Sequence, residues 1–144
     1  TPLYSSAASD VYKRQLEEAG VPFQSPVGGH AVFIDAGRML PHLEWKQYPG
    51  HALATQLYLD AGIRSCDIGS YLMDRDPVTH EEQQAPFEFT RLAVPRRVYT
   101  QSHMDVVAEA VTKIAREPEK VPGYRITWEP PVLRHFTSRL EPIR

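Results

Sequence analysis

The chain has 144 residues, a formal net charge of −2 at neutral pH and a single cysteine, Cys66. This length fits one domain with its own core, and the near-balanced charge argues against nucleic acid or an anionic membrane as a partner. No apolar run approaches the roughly 20 residues that cross a bilayer. One cysteine excludes an internal disulfide and favours the cytoplasm, and the strand-like run around Cys66 predicts a small core residue, not a nucleophile.

Residues 1–15 carry no usable periodicity, unlike the rest of the chain. The run Asp-Val-Tyr-Lys-Arg-Gln at residues 10–15 is what the codons GAT GTG TAT AAG AGA CAG encode, and these match a transposase sequencing adaptor read in frame. We therefore predict that residues 1–15 are a non-native segment and leave them out of the fold prediction. The natural sequence is expected to begin near Leu16 and to be preceded by further protein.

The remaining chain alternates between helix and strand patterns. Leu16 to Gly20 is typical of a helix end that is closed by glycine. The elements that follow are a strand over 27–35, a helix over 51–61 with Gly62 as its cap, strands over 63–72 and 87–94, a helix over 102–116 and a strand over 124–128. Alternation or short apolar runs mark the strands, whereas apolar residues at every third or fourth position mark the helices. This order predicts an α+β domain in which helices cover one face of a four-stranded sheet.

The strand over 87–94 carries a charged residue in an unusual place, Arg91. Alternation predicts two faces, one with Phe87, Phe89, Arg91 and Ala93 and the other with Glu88, Thr90, Leu92 and Val94. A guanidinium beside aromatic rings is costly to desolvate unless an anion meets it, and its planar fork matches a carboxylate or a phosphate. Arg91 is therefore a candidate anion-binding residue. A structural ion pair, or a side chain that extends to water, explains the same pattern.

Other catalytic chemistries find little support in the sequence. The histidines show none of the paired spacings that metal sites use, so we predict no metal site. They are His30, His42, His51, His80, His103 and His135. No Gly-x-Ser-x-Gly elbow is present, and Lys46, Lys113 and Lys120 lie in polar or helix-surface contexts, unlike a buried Schiff-base lysine.

Several segments stand out as motifs. They are 26–33 (Pro-Val-Gly-Gly-His-Ala-Val-Phe), 62–64 (Gly-Ile-Arg), 91–96 (Arg-Leu-Ala-Val-Pro-Arg), 99–105 (Tyr-Thr-Gln-Ser-His-Met-Asp) and 133–137 (Leu-Arg-His-Phe-Thr). Together they resemble the C-terminal part of the β-eliminating lyases, and the resemblance runs almost continuously from Leu16 to the C-terminus.

The resemblance implies a fold and a cofactor. Residues 16–144 would be the small C-terminal domain of an aspartate aminotransferase-like (fold type I) enzyme that uses pyridoxal 5'-phosphate. The large domain, with its Schiff-base lysine, its phosphate site and most of a potassium-ion site, would lie upstream. The chain alone is therefore expected to hold no cofactor-binding residue and to be inactive, and the full-length protein is expected to be a homotetramer.

The resemblance also implies roles for three residues. Arg91 matches the family arginine that binds the substrate α-carboxylate, in agreement with the anion-binding interpretation. Members that cleave tyrosine carry arginine where this chain has Ile68 and phenylalanine where it has His135, whereas members that cleave tryptophan carry isoleucine and histidine. His135 is accordingly implied as a catalytic residue beside the leaving group, which an imidazole can hydrogen-bond or position.

The reaction implied by these residues is β-elimination of L-tryptophan to indole, pyruvate and ammonia. Two alternatives stay open. One is a fragment of a tyrosine-cleaving member of the same family. The other is a stand-alone α+β domain that binds a small ligand, because a fold of this class does not determine function.

Overall fold

A computed structural model describes residues 13–24, 31–93 and 101–143 of the chain. The segment predicted to be non-native thus lies almost entirely outside the described residues, as does the glycine pair at 28–29. Residues 13–18 form helix α1, and Gly20 follows with a φ of +72°. This left-handed conformation favours glycine, so the predicted helix end is confirmed.

A three-stranded antiparallel sheet lies at the centre of the described fold. It consists of β1 (Ala31–Asp35), β2 (Cys66–Ile68) and β3 (Phe89–Ala93), with β3 in the middle. Along β3, Thr90 and Leu92 are buried, whereas Arg91 is half-buried and lies on the opposite face. The predicted alternation is confirmed from Glu88 to Leu92, whereas Val94 lies outside the described residues. Arg91 is left on the sheet face that the main core does not cover.

The other face of the sheet is covered by helices α2 (Ala36–Met39), α3 (Pro49–Ala61) and α4 (Gln101–Arg116). Fully or almost fully buried side chains such as Leu53, Leu57 and Val111 join those of β1 and β3 in one hydrophobic core. Helix α3 ends at Gly62, whose φ is +67°, so the predicted cap is confirmed. The predicted apolar face of α3 is only partly correct, because Tyr58 is 54% exposed.

The predicted fourth strand does not join this sheet. In the described part of the chain, β4 (Tyr124–Trp128) pairs with β5 (Arg139–Pro142) as a separate antiparallel ribbon, and the short helix α5 (Arg134–Thr137) connects them. The four-stranded sheet is therefore wrong, although the α+β class is confirmed. The sequence did not predict β5 because Leu140 is its single aliphatic residue, so the strand depends on backbone pairing with β4 and not on an apolar pattern.

The predicted strand over 63–72 is also shorter than expected. Only β2 is extended, and a 3₁₀ turn at Ser70–Leu72 follows, where the Ser70 N–H and hydroxyl both donate to the Glu88 carboxylate. Cys66 is exposed on β2, so its prediction as a core residue is wrong; β2 is an edge strand and its outer positions meet solvent. Further 3₁₀ turns lie at Trp45–Gln47 and Pro118–Lys120.

Candidate functional site

A cleft of about 760 Å³ opens beside the edge strand β2, between α3 and α5. Its walls come from α3, the loop and strand that follow it, the adjacent 3₁₀ turn and α5. The lining residues are His51, Ala54, Thr55, Tyr58, Ile63, Arg64, Ser65, Cys66, Asp67, Ile68, Tyr71, Leu72, His135 and Phe136. A concave surface with many apolar side chains and a few polar groups is typical of a small-molecule site.

The cleft brings together two residues that the sequence marked as discriminating between substrates, Ile68 and His135. Ile68 comes from β2 and His135 from α5, so only the tertiary structure makes them neighbours. The His135 and Phe136 ring centroids are 4.2 Å apart, and His135 Nδ1 is buried with no hydrogen-bond partner among the described residues. Buried polar atoms normally find a partner. The imidazole thus has unused hydrogen-bonding capacity beside the cleft.

Arg91 does not line the cleft but lies one strand away from it. Its neighbours across the sheet are Phe33 of β1 and Cys66 of β2, and Cys66 is a lining residue. Within residues 13–24, 31–93 and 101–143, no carboxylate forms an ion pair with the Arg91 guanidinium. The structural ion pair that the sequence left open is therefore not seen in that part of the chain.

A second imidazole, that of His51 on α3, packs within the aromatic wall of the cleft. Its ring centroid lies 5.0 Å from that of Tyr71 and 5.1 Å from that of Tyr124. Its Nε2 is 3.3 Å from the Thr55 hydroxyl. Burial lowers the pKa of His51 below its ordinary value of 6.5, so the ring is neutral at physiological pH and this wall carries no charge.

Asp67 places a carboxyl group in the wall of the cleft, and no described basic side chain forms an ion pair with it. Both of its oxygens are buried, and neither accepts a hydrogen bond of normal geometry from a described residue. Burial, reinforced by the negative charge of Glu88, raises the pKa of Asp67 to about 7, and the N–H groups of Leu72 and Gly69 oppose the shift only in part. A substantial fraction of Asp67 is therefore protonated at neutral pH, which limits the negative charge beside the cleft.

The sequence profile of the beta-eliminating lyases matches residues 9–110, which is more than half of the chain. The chain belongs to the beta-eliminating lyase family. The resemblance drawn from the motifs is thereby confirmed. The match begins within residues 1–15, and the non-native origin of that segment stays a prediction.

Curated relatives of this chain carry two different activities in their names. A tryptophanase of Haemophilus influenzae (strain 86-028NP) is 50% identical over 128 residues, and a tyrosine phenol-lyase of Symbiobacterium sp. (strain SC-1) is 49% identical over 129 residues. A probable beta-eliminating lyase of Trichomonas vaginalis is 48% identical over 129 residues. These matches cover 89–90% of the chain, which spans only 27–28% of the length of the relatives. Overall identity thus does not separate tryptophan from tyrosine as substrate, and individual positions must do so.

The beta-eliminating lyases depend on pyridoxal 5'-phosphate, a cofactor that a lysine holds as a Schiff base. The lysines of this chain are Lys13, Lys46, Lys113 and Lys120, and none of them lines the cleft. Among the described residues, no group of His, Cys, Asp and Glu is arranged to hold a metal ion, and no helix is long and apolar enough to cross a membrane.

Sequence reasoning missed Arg134, the residue that anchors α5 of the lyase chain. Its side chain is 1% exposed, and its guanidinium donates to both carboxylate oxygens of Glu82 and to Glu129. Burial acts to lower the pKa of Arg134, but hydrogen bonding and the charge of Glu82 outweigh it and raise the pKa. The available signal was an arginine within the run Leu-Arg-His-Phe, 133–136, with Glu129 five residues before it, but nothing in the sequence pairs it with Glu82, which is 52 residues away.

Proposed function

We propose that residues 16–144 are the small C-terminal domain of a longer pyridoxal-phosphate lyase that cleaves L-tryptophan to indole, pyruvate and ammonia. The observation that carries this proposal is the meeting of Ile68 and His135 on one cleft. An aliphatic Ile68 offers no charge or donor to a phenol oxygen, whereas it packs well against an apolar ring. This wall of the cleft therefore suits indole better than phenol.

Arg91 is the proposed anchor of the substrate α-carboxylate. It lies one strand from the cleft and has no carboxylate partner in the described part of the chain. A bidentate pair between its guanidinium and a carboxylate would fix the orientation of the amino acid about its α-carbon.

His135 is the proposed contact for the leaving group. The indole nitrogen carries a hydrogen and can only donate, so a neutral ring nitrogen of His135 would accept that hydrogen bond. The ring would thereby hold the indole in the cleft and help exclude water from it.

The longer protein is proposed to supply what this chain lacks. We place the cofactor lysine, the phosphate site and most of a potassium-ion site outside this chain, and we expect a cytoplasmic homotetramer. Two observations support this: the family depends on pyridoxal 5'-phosphate, and the chain spans only 27–28% of the length of its relatives. The chain alone is accordingly proposed to be inactive, and indole release by the purified chain would contradict that.

The proposal is tested with a chimera in which residues 16–144 replace the matching C-terminal segment of the Haemophilus influenzae tryptophanase. We expect the chimera, loaded with pyridoxal phosphate, to release indole from L-tryptophan and little phenol from L-tyrosine. The paired substitutions Ile68→Arg and His135→Phe should shift activity towards L-tyrosine.

The outcomes of this experiment separate the alternatives. A cofactor-loaded chimera that releases phenol in preference to indole would replace the tryptophan assignment with the tyrosine one. A chimera that releases neither, together with tight binding of a free amino acid by the chain without cofactor, would favour a stand-alone binding domain.

A further inference from the structure

We propose that Arg134 is a positioning residue that sets the separation of Ile68 and His135 across the cleft. The inference rests on the proposed function, because it concerns the choice between aromatic leaving groups. Arg134 does not itself line the cleft, so it would act on a substrate only through the residues that it holds in place.

The Arg134 side chain connects the two walls of the cleft. Its Nη2 donates to the Ser70 carbonyl at 3.0 Å, and its Nε donates to the Tyr71 carbonyl at 3.3 Å. These carbonyls belong to the 3₁₀ turn at Ser70–Leu72, which comes directly after β2, the strand that carries Ile68. Arg134 itself directly precedes His135 in α5. One guanidinium thus ties the wall that carries Ile68 to the wall that carries His135.

Two carboxylates hold the remaining edge of the guanidinium. Glu82 accepts hydrogen bonds from Nη1 at 2.9 Å and from Nη2 at 2.8 Å, and Glu129 accepts one from Nη1 at 3.2 Å. The Tyr48 hydroxyl donates to the same Glu82 at 2.8 Å. Because Arg134 is only 1% exposed, these charged hydrogen bonds operate away from water, where their directionality fixes the geometry of the group.

Helix α5 depends on such external contacts for its position. It has four residues, too few for an isolated helix to be stable. It begins after Leu133, whose φ of +52° is a left-handed conformation that non-glycine residues rarely adopt. Asp74 accepts the N–H groups of Leu133 at 2.8 Å and of Arg134 at 3.0 Å. Asp74 therefore holds the start of α5 in place, and Arg134 fixes the distance between α5 and the turn after β2.

A lysine at this place would keep the charge but lose the geometry. The Arg134 guanidinium makes five hydrogen bonds, three to carboxylate oxygens and two to backbone carbonyls. The Arg134→Lys ammonium has three donors on a flexible stem and cannot meet all of these acceptors. We therefore expect Arg134→Lys to preserve the charge balance with Glu82 and Glu129 while the two walls of the cleft loosen.

The test uses the chimera described above, with Arg75→Lys as the matched control. Arg75 contacts the same two glutamates, but it is more exposed and forms no hydrogen bond to the turn after β2. We expect Arg134→Lys to lower the ratio of kcat/KM for L-tryptophan over L-tyrosine by about tenfold. On β-chloro-L-alanine, which has a small leaving group, kcat/KM should stay within about twofold of the unsubstituted chimera. Arg75→Lys should change neither quantity.

A second measurement does not depend on catalysis. In NMR spectra of the 144-residue chain, we expect Arg134→Lys to shift the His135 imidazole signals and Arg75→Lys to leave them in place. Should Arg134→Lys fail to fold, Glu129→Gln removes one charged contact and should move the same signals by less. Unchanged His135 signals, or an equal loss of kcat/KM on all three substrates, would overturn the inference. An unsubstituted chimera without indole release would refute the proposed function, and the NMR comparison would still decide whether Arg134 positions His135.

Discussion

Replacing Asp67 by asparagine is expected to stabilise the chain above neutral pH and to leave its stability nearly unchanged in acid. Both carboxyl oxygens of Asp67 are buried without a well-formed hydrogen bond, and burial together with Glu88 raises the pKa to about 7 from an ordinary 3.8. Well below the ordinary pKa of 3.8 the group is protonated in the folded and the unfolded chain, so asparagine replaces one neutral polar group by another.

The sign and the size of the effect follow from proton linkage. Between the ordinary pKa of 3.8 and the folded value of about 7, the folded chain binds more protons at Asp67 than the unfolded chain does. The free energy of unfolding therefore falls as the pH rises through this window, by up to about 1.4 kcal/mol per pH unit. The total fall in the free energy of unfolding across this pH window has an upper limit of about 4 kcal/mol. Entry of water at the ionised carboxylate reduces it to roughly 2–4 kcal/mol.

Urea unfolding of wild type and Asp67→Asn, at about pH 4 and about pH 8, measures this difference directly. The matched control is Asp76→Asn, since N–H groups of Thr79 and Val78 hold the pKa of that exposed carboxyl below its ordinary value. Its contribution is present above the ordinary pKa of 3.8 and is lost only as the pH falls through the lower folded pKa, so Asp76→Asn should destabilise the chain at both pH values. A stability gain in Asp67→Asn that is the same at both pH values would refute the reasoning.

Three further outcomes are expected. In the chimera, Arg91→Gln should lower kcat/KM for L-tryptophan by about 30- to 1,000-fold, which corresponds to roughly 2–4 kcal/mol of transition-state binding. The control is Arg125→Gln, because Arg125 lies in an exposed ion pair with Glu141. This substitution should have no effect in the same steady-state assay. Gly50→Ala should cost more than about 3 kcal/mol in urea unfolding, because a Cβ there would lie 2.0 Å from a carboxyl oxygen and 2.7 Å from a backbone carbonyl oxygen. At Gly62 an added Cβ would meet nothing within 4 Å, but the backbone φ is positive. Gly62→Ala should therefore lower the free energy of unfolding by only about 1 kcal/mol. Equal losses of stability in the two variants would contradict the contact argument. Asp74→Ala should lower the free energy of unfolding by roughly 1 kcal/mol near neutral pH, as loss of other helix caps does. Hydrogen bonds from the N–H groups of Leu133 and Arg134 lower the pKa of the Asp74 carboxyl, so its stabilising effect, and with it the cost of the substitution, should disappear in acid.

The elements that the sequence predicted well are those whose signal is local. Thr90 and Leu92 alternate with Arg91 along one strand, and Gly62 follows an apolar helix pattern, so short-range spacing was sufficient. The four-stranded sheet was wrong for the opposite reason. Whether β4 pairs with β3 or with β5 depends on where the chain turns after residue 128, and strand periodicity is the same in both arrangements.

The site shows the same division between local and long-range information. The exposure of Cys66 follows from the position of β2 at the sheet edge, which its sequence neighbourhood does not specify. The burial of Arg134 follows from Glu82 and Glu129, which lie on separate segments and come together only in the folded chain. A buried charge needs such partners. Glu129 is only five residues from Arg134, but Glu82 is 52 residues away, and no spacing rule identifies a partner at that distance.

Residue identities and short-range patterns were enough to predict the membership in the beta-eliminating lyase family, the main helices and strands, and Arg91 as a candidate for binding an anion. These depend on residue identity and on periodicity over a few positions. The shared cleft of Ile68 and His135, and the link that Arg134 makes between its two walls, became visible only in the folded chain. Contacts of this kind form between segments that are distant in sequence, so they depend on how the whole chain packs and not on any local pattern.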